Sequence, residues 1–269
     1  MKVIRNKKIK AGGEKPSAFK IFMKKSAFII VFLLLICTNA FAGLSITPSR
    51  SEVVIEQNGT YDSFYTIKNG FDKAVRVEIS VKNWNNSLEN RNVPVTNWLI
   101  IPYNYAVLEP GESRQINYTV KSGDLKGSLS GMISFTVKSP DYEGINLMTS
   151  VPVYMTVDGT QNISFDIESI GLKKTNDDNI NINYTVKNSG NVHVRLNGNL
   201  KIKKGKNIIV ERKINDLSPV YPDSARSFSN SIAALPKGKY ILNISLSALN
   251  KTAEKSIQFR VNKYGDISY

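Results

Sequence analysis

A chain of 269 residues carries 36 Lys/Arg against 22 Asp/Glu, with one histidine and one cysteine, and 41% of it is hydrophobic. That length holds two ordinary domains. A single histidine, His193, excludes a histidine-based metal cluster and an ordinary Ser–His–Asp triad. No glycine-rich phosphate loop or nucleophile elbow stands in the sequence, so neither an enzyme nor a cofactor is expected, and no metal site.

The charge is uneven. Residues 1–25 hold nine of the 36 basic residues and one acid, Glu14, so most of the net charge of +14 precedes the first apolar run. That run, Ala27-Phe-Ile-Ile-Val-Phe-Leu-Leu-Leu-Ile36, is followed by small residues at Ala40 and Ala42. Basic stretch, short apolar core and A-x-A spacing are the parts of a secretory signal peptide, with cleavage expected after Ala42. The apolar core is short of the ~20 residues that span a bilayer, so no stable membrane span is expected after cleavage. Cys37 lies inside this segment, which leaves the exported part with no thiol chemistry. Nucleic acid is not an expected partner, because most of the basic excess that would suggest it lies in a segment expected to be removed.

Beyond Gly43 the apolar residues recur every second position, as in half-buried strands. Val75-Arg-Val-Glu-Ile-Ser-Val81, Ile116-Asn-Tyr-Thr-Val120 and the long run 145–157 alternate in this way, and Asn58-Gly59, Asn69-Gly70, Pro110-Gly111, Asp158-Gly159 and Lys237-Gly238 punctuate them as turns. Many short strands at such spacing predict an all-β fold of sandwiches. An internal echo divides the chain: Tyr65-Thr-Ile-Lys-Asn69 recurs as Tyr184-Thr-Val-Lys-Asn188, each followed by an alternating run, 75–81 and 192–202. The expected organisation is a leader over 1–42 and two immunoglobulin-like β-sandwiches over 43–158 and 160–263, joined by the short hinge 158–160. His193 is expected to face solvent, Asp177-Asp178 to occupy a hairpin turn, and 263–269 to be a frayed polar tail.

Several strings in 44–157 resemble the N-terminal domain of periplasmic pilus-assembly chaperones of the PapD-like family. They are Ile46-Thr-Pro-Ser-Arg50 leading into Ser-Glu-Val-Val-Ile55, Trp84 closing a strand, the proline-led Ile101-Pro-Tyr-Asn-Tyr-Ala-Val-Leu-Glu-Pro-Gly111 with Gln115-Ile116, Met132-Ile-Ser-Phe-Thr-Val-Lys138, and the last run to Val157. The resemblance implies a non-enzymatic protein that works in the periplasm and binds pilin-like subunits by β-strand addition, offering alternate side chains to an incomplete partner core. By this resemblance Ile145, Leu147, Thr149, Val151 and Val153 share the face offered to the partner, and Arg50 grips the partner's C-terminal carboxylate. The bland reading of the same residues stays open: the run packs into its own domain and Arg50 is a solvated strand-end arginine.

The match has departures. The family pairs its arginine with a lysine on the last strand, where this chain has Ser150 and Pro152, and Pro152 has no N–H to donate. A second resemblance competes: Gly127-Ser-Leu-Ser-Gly-Met-Ile-Ser-Phe135 is similar to a stretch of Gram-positive WxL-interacting surface proteins. That alternative implies a structural or adhesive module at the cell surface, binding a cell-surface polymer, with no chaperone cycle.

Overall fold

The computed structural model describes residues 43–84, 93–138, 146–175, 179–215 and 218–269. The leader with Ala40 and Ala42, the turn residues Asp177 and Asp178, and Ile145 lie outside the described residues.

The first sandwich holds β1 (Leu44–Thr47), β2 (Ser51–Ile55), β3 (Thr60–Asn69), β4 (Val75–Asn83), β5 (Leu99–Ile100), β6 (Tyr105–Leu108), β7 (Ser113–Lys121), β8 (Ser128–Lys138) and β9 (Asn146–Val157). One sheet runs β1-β3-β7-β5 and the other β2-β9-β8-β4-β6. Period-two patterning becomes burial in β4, where Val75, Val77 and Ile79 enter the core and Arg76, Glu78 and Ser80 do not. Tyr65, Ile67, Trp98, Val120, Ile133, Phe135 and Met155 fill the space between the sheets. The string 46–55 is divided between two strands. After the cis Thr47-Pro48 bond the chain leaves β3, which β1 pairs, and joins the opposite sheet as β2, parallel to β9.

The second sandwich holds β10 (Phe165–Lys174), β11 (Asn179–Asn188), β12 (Asn197–Lys204), β13 (Asn207–Ile214), β14 (Ser224–Ala233), β15 (Gly238–Ala248), β16 (Lys251–Val261) and β17 (Ile267–Ser268). Its sheets run β10-β11-β14 and β13-β12-β15-β16-β17 around a separate core of Ile167, Ile182, Val186, Leu200, Ile202, Leu242 and Ile244.

Three sequence expectations are corrected here. Residues 263–269 are not a frayed tail: β17 pairs Arg260 and Val261, and the Tyr269 hydroxyl bonds both backbone groups of Leu172 on β10. The run 192–202 is not one strand. Residues 192–196 lie outside the named strands, with an isolated bridge between Val194 and Val220, and β12 starts at Asn197. His193 does not face solvent, because its ring turns onto the first sandwich with only 7% of the side chain exposed.

The internal echo has a physical meaning. Asn69 donates through Nδ2 to the carbonyls of Lys73, Leu108 and Glu109, and its Oδ1 accepts from the Phe71 N–H. Asn188 repeats the device, donating to Val192 and Val220 carbonyls and accepting from Gly190 N–H. Both side chains are fully buried. Each asparagine ties the end of a long strand to the corner that follows, and satisfies backbone groups that the turning chain leaves unpaired.

Candidate functional site

β9 is two different strands in one. Along one side it pairs with β8 over its whole length, from Asn146 opposite Lys138 to Thr156 opposite Ser128. Along the other side β2 covers only Val153 to Val157. Among the described residues nothing pairs with the outer edge of β9 from Asn146 to Val151, so its backbone groups there are open to another strand.

Burial divides the strand at the same place. Leu147 is 42% exposed and Thr149 is also exposed, whereas Val151 and Val153 are closed into the core at 3% and 0%. Leu147 and Thr149 stand opposite Val137 and Phe135, both buried, so they lie on the core-facing side of the sheet at its uncovered lip. Of the residues expected to share a partner face, Leu147 and Thr149 are thus available, and Val151 and Val153 serve the domain's own core. Met148, on the opposite face, is 59% exposed.

Below the lip, Ser51 Oγ accepts from both Tyr65 Oη at 2.7 Å and Tyr118 Oη at 2.8 Å, and the two rings stack at 5.3 Å. Tyr65 Oη also reaches the Pro152 carbonyl at 3.3 Å. Burial first, and then the neighbouring Tyr118, push the Tyr65 hydroxyl well above its ordinary pKa, against the bond to Ser51. These bonds fasten β2 where it begins to pair with β9 and fix where the open edge stops.

Arg50 stands just before β2, one place beyond the end of the open edge. Its guanidinium does not stand alone: Nε lies 3.6 Å from Glu52 Oε1. The same oxygen accepts from Arg195 Nε at 2.7 Å, and Glu52 Oε2 lies 3.1 Å from His193 Nε2. Burial would raise the Glu52 pKa, but the bonds and charges of His193 and Arg195 outweigh it and hold the carboxyl below its ordinary range. Arg195 also lies over the Tyr154 ring at 5.0 Å, and His193 packs on that ring at 4.8 Å. Tyr154 and Tyr221 bring their hydroxyls within 3.4 Å, and Trp84 bonds the Tyr221 hydroxyl.

This set joins the sandwiches, with backbone bonds beside it. Ser128 N–H donates to the Asn191 carbonyl, His193 N–H to Ser128 Oγ, and Gly127 N–H to Thr160 Oγ1. Between the sandwiches a cleft of about 530 Å³ is lined by Glu52, Val54, Ile163, His193, Arg195 and Leu249. Sequence reasoning missed Glu52, Tyr154, His193, Arg195 and Tyr221 as a group. The signal available was weak: His193 and Arg195 alternate with buried valines, so both had to share a face, but nothing local said that a second domain covers it.

No family model matches the chain, and no curated protein is similar enough in sequence to count as a match. Solved structures similar to it include a chaperone–tip adhesin complex of CFA/I fimbriae biogenesis at 18% identity, with 81% of this chain and 97% of that chain covered and a TM-score of 0.44. The CsuC–CsuE chaperone–tip adhesion subunit pre-assembly complex of Acinetobacter baumannii Csu pili is 14% identical, covered 81% and 98%, with a TM-score of 0.45. The CupB2 chaperone of Pseudomonas aeruginosa is 8% identical, covered 83% and 96%, with a TM-score of 0.44. Likeness of this degree says nothing about a partner.

Proposed function

We propose that this chain is an exported, non-enzymatic protein of the pilus-assembly chaperone kind, working in the periplasm, which captures an incomplete subunit by strand addition along the outer edge of β9. The observation that carries the reading is the division of that strand. Among the described residues the strand edge is uncovered over Asn146 to Val151 with an exposed leucine at its lip, and exposed edges of this kind are normally blunted by charge, by proline or by a bulge unless a partner pairs with them. Here the proline comes at Pro152, where β2 is about to take over the edge. A partner strand would gain main-chain hydrogen bonds from the edge and contact with Leu147 and Thr149, which is the economy of strand addition. The leader with Ala40 and Ala42 supplies the export route.

Affinity capture of the chain from a periplasmic extract, in native form and as Leu147→Asp, tests this. The expected result is a pilin-like subunit that is retained by the native chain and lost from the variant. Equal recovery by both, or no such subunit with either, defeats the proposal. Labelling of intact cells with a membrane-impermeant reagent separates it from the surface-module reading, since a periplasmic protein is protected.

A further inference from the structure

The cleft between the sandwiches is lined by a carboxylate, Glu52. Glu52 shares one oxygen between Arg195 at 2.7 Å and Arg50 at 3.6 Å, and turns the other to His193 at 3.1 Å. The partners differ in access. The side chains of His193 and Arg195 are 7% and 17% exposed, backed by the second sandwich, whereas those of Arg50 and Glu52 are 42% and 39% exposed. Glu52 is therefore held from the domain-two side and approachable from the Arg50 side.

The topology fixes what arrives there. A segment that pairs with the open edge of β9 and runs parallel to it lies on the line that β2 itself follows, because β2 is parallel to β9 from Ser51 opposite Val153 onward. Such a segment has to stop, or turn away, at Arg50. If it stops, its C-terminal carboxylate meets the guanidinium that Glu52 now shares. Two carboxylates at one guanidinium repel each other while each is attracted to it, so the arrangement is a competition.

We propose that Glu52 is a resident carboxylate between Arg50 and Arg195, which the C-terminal carboxylate of a bound polypeptide must draw Arg50 away from. Occupation of the β9 edge is thereby coupled to the bonds between Glu52, His193 and Arg195 that join the two sandwiches. The polypeptide as occupant rests on the strand-addition reading above; the resident-carboxylate claim does not. A segment running the other way would bring an ammonium group to the same place, attracted by Glu52 and repelled by Arg50, and would show the opposite preference.

The test has two arms. In the first, acetate is titrated into the purified chain and followed by NMR of the Arg50 and Arg195 Nε–H groups, in native protein, Glu52→Gln, and Glu52→Gln with Arg50→Gln. Glutamine keeps the shape of Glu52 and an oxygen for Arg195, and unfolding midpoints establish that each variant is folded. Removing the competing charge should tighten acetate binding about tenfold, and the second substitution should abolish the gain. Equal acetate affinity in native protein and Glu52→Gln overturns the proposal, whatever any peptide does.

In the second arm a synthetic decapeptide of alternating valine and threonine is presented as its free C-terminal acid and as its amide. Native protein should distinguish them by no more than about twofold, and Glu52→Gln should favour the acid about tenfold. A preference for the amide overturns the proposal. Failure of both peptides with the acetate arm as expected removes strand addition, and with it the polypeptide occupant, and leaves Glu52 as the competitor of a smaller anion.

Discussion

Ser51 stands opposite Val153 in a parallel pair, and at that pair the outer edge of β9 changes from open to occupied. Among the described residues the outer edge of β9 is unpaired from Asn146 to Val151, and from Val153 onward it belongs to the fold. The Ser51 hydroxyl, held by Tyr65 and Tyr118, keeps that boundary from sliding.

Substitutions either side of the boundary should therefore behave differently. Leu147→Asp should change stability by no more than about 1 kcal/mol, since Leu147 sits at an exposed lip, and should abolish partner capture. Val151→Asp places a charge in a closed core and should cost more than about 3 kcal/mol, enough to unfold the first sandwich. Urea unfolding of both variants, read alongside capture, checks the contrast. Unfolding by Leu147→Asp would mean that the lip is core after all.

The two echoed tyrosines should respond in opposite directions. Tyr65 donates to Ser51 and lies within reach of the Pro152 carbonyl, whereas the Tyr184 hydroxyl, buried and pushed up to about 12 by that burial, has no hydrogen-bond partner among the described residues. Tyr65→Phe should destabilise by about 1 kcal/mol, and Tyr184→Phe should be neutral or stabilising by a similar amount. Chemical denaturation of the two variants decides it, and a loss at Tyr184→Phe equal to that at Tyr65→Phe is the contrary result.

Asn69→Ala and Asn188→Ala remove the paired corner devices. Each leaves buried carbonyls without a donor and a backbone N–H without its acceptor, so each should cost about 2–4 kcal/mol in its own sandwich. Hydrogen exchange resolved by peptide should show the loss confined to one sandwich per variant.

The Glu52 carboxyl titrates below its ordinary value of 4.5, so the unfolded chain binds this proton more readily than the folded one. Stability from its bonds to His193 and Arg195 is then fully present above 4.5 and is lost as pH falls through the depressed folded value. The difference in unfolding free energy between native protein and Glu52→Gln should close on acidification through that window. A difference that widens as pH falls contradicts the assignment.

Gly127 sits at φ +73°, and a Cβ there would lie 2.2 Å from the Asn191 carbonyl oxygen. Gly127→Ala combines a left-handed backbone cost of about 1–2 kcal/mol with a clash against backbone of the other sandwich. Both cores should survive while the junction opens. Small-angle scattering should show a larger radius of gyration and calorimetry two separated transitions; an unchanged single transition would count against the junction's role.

The amino-acid sequence by itself determined that the chain beyond Gly43 is all β, that the alternating runs are strands, and that a motif recurs in two halves. Period-two burial is a local property, and 75–81 and 116–120 carry it in their own residues. It also marked Arg50 and the last strand of the first half for attention. Only the tertiary structure decided that β9 is covered by β2 from Val153 onward and, among the described residues, uncovered before it, because strand pairing is a contact between distant segments and leaves no mark in the strand that is paired. For the same reason the partnership of Glu52 with His193 and Arg195 was invisible: residues some 140 positions apart meet through the placing of one sandwich on another. His193 reads as solvent-facing from its own strand alone, since alternation says which way a side chain points and not what it will find there.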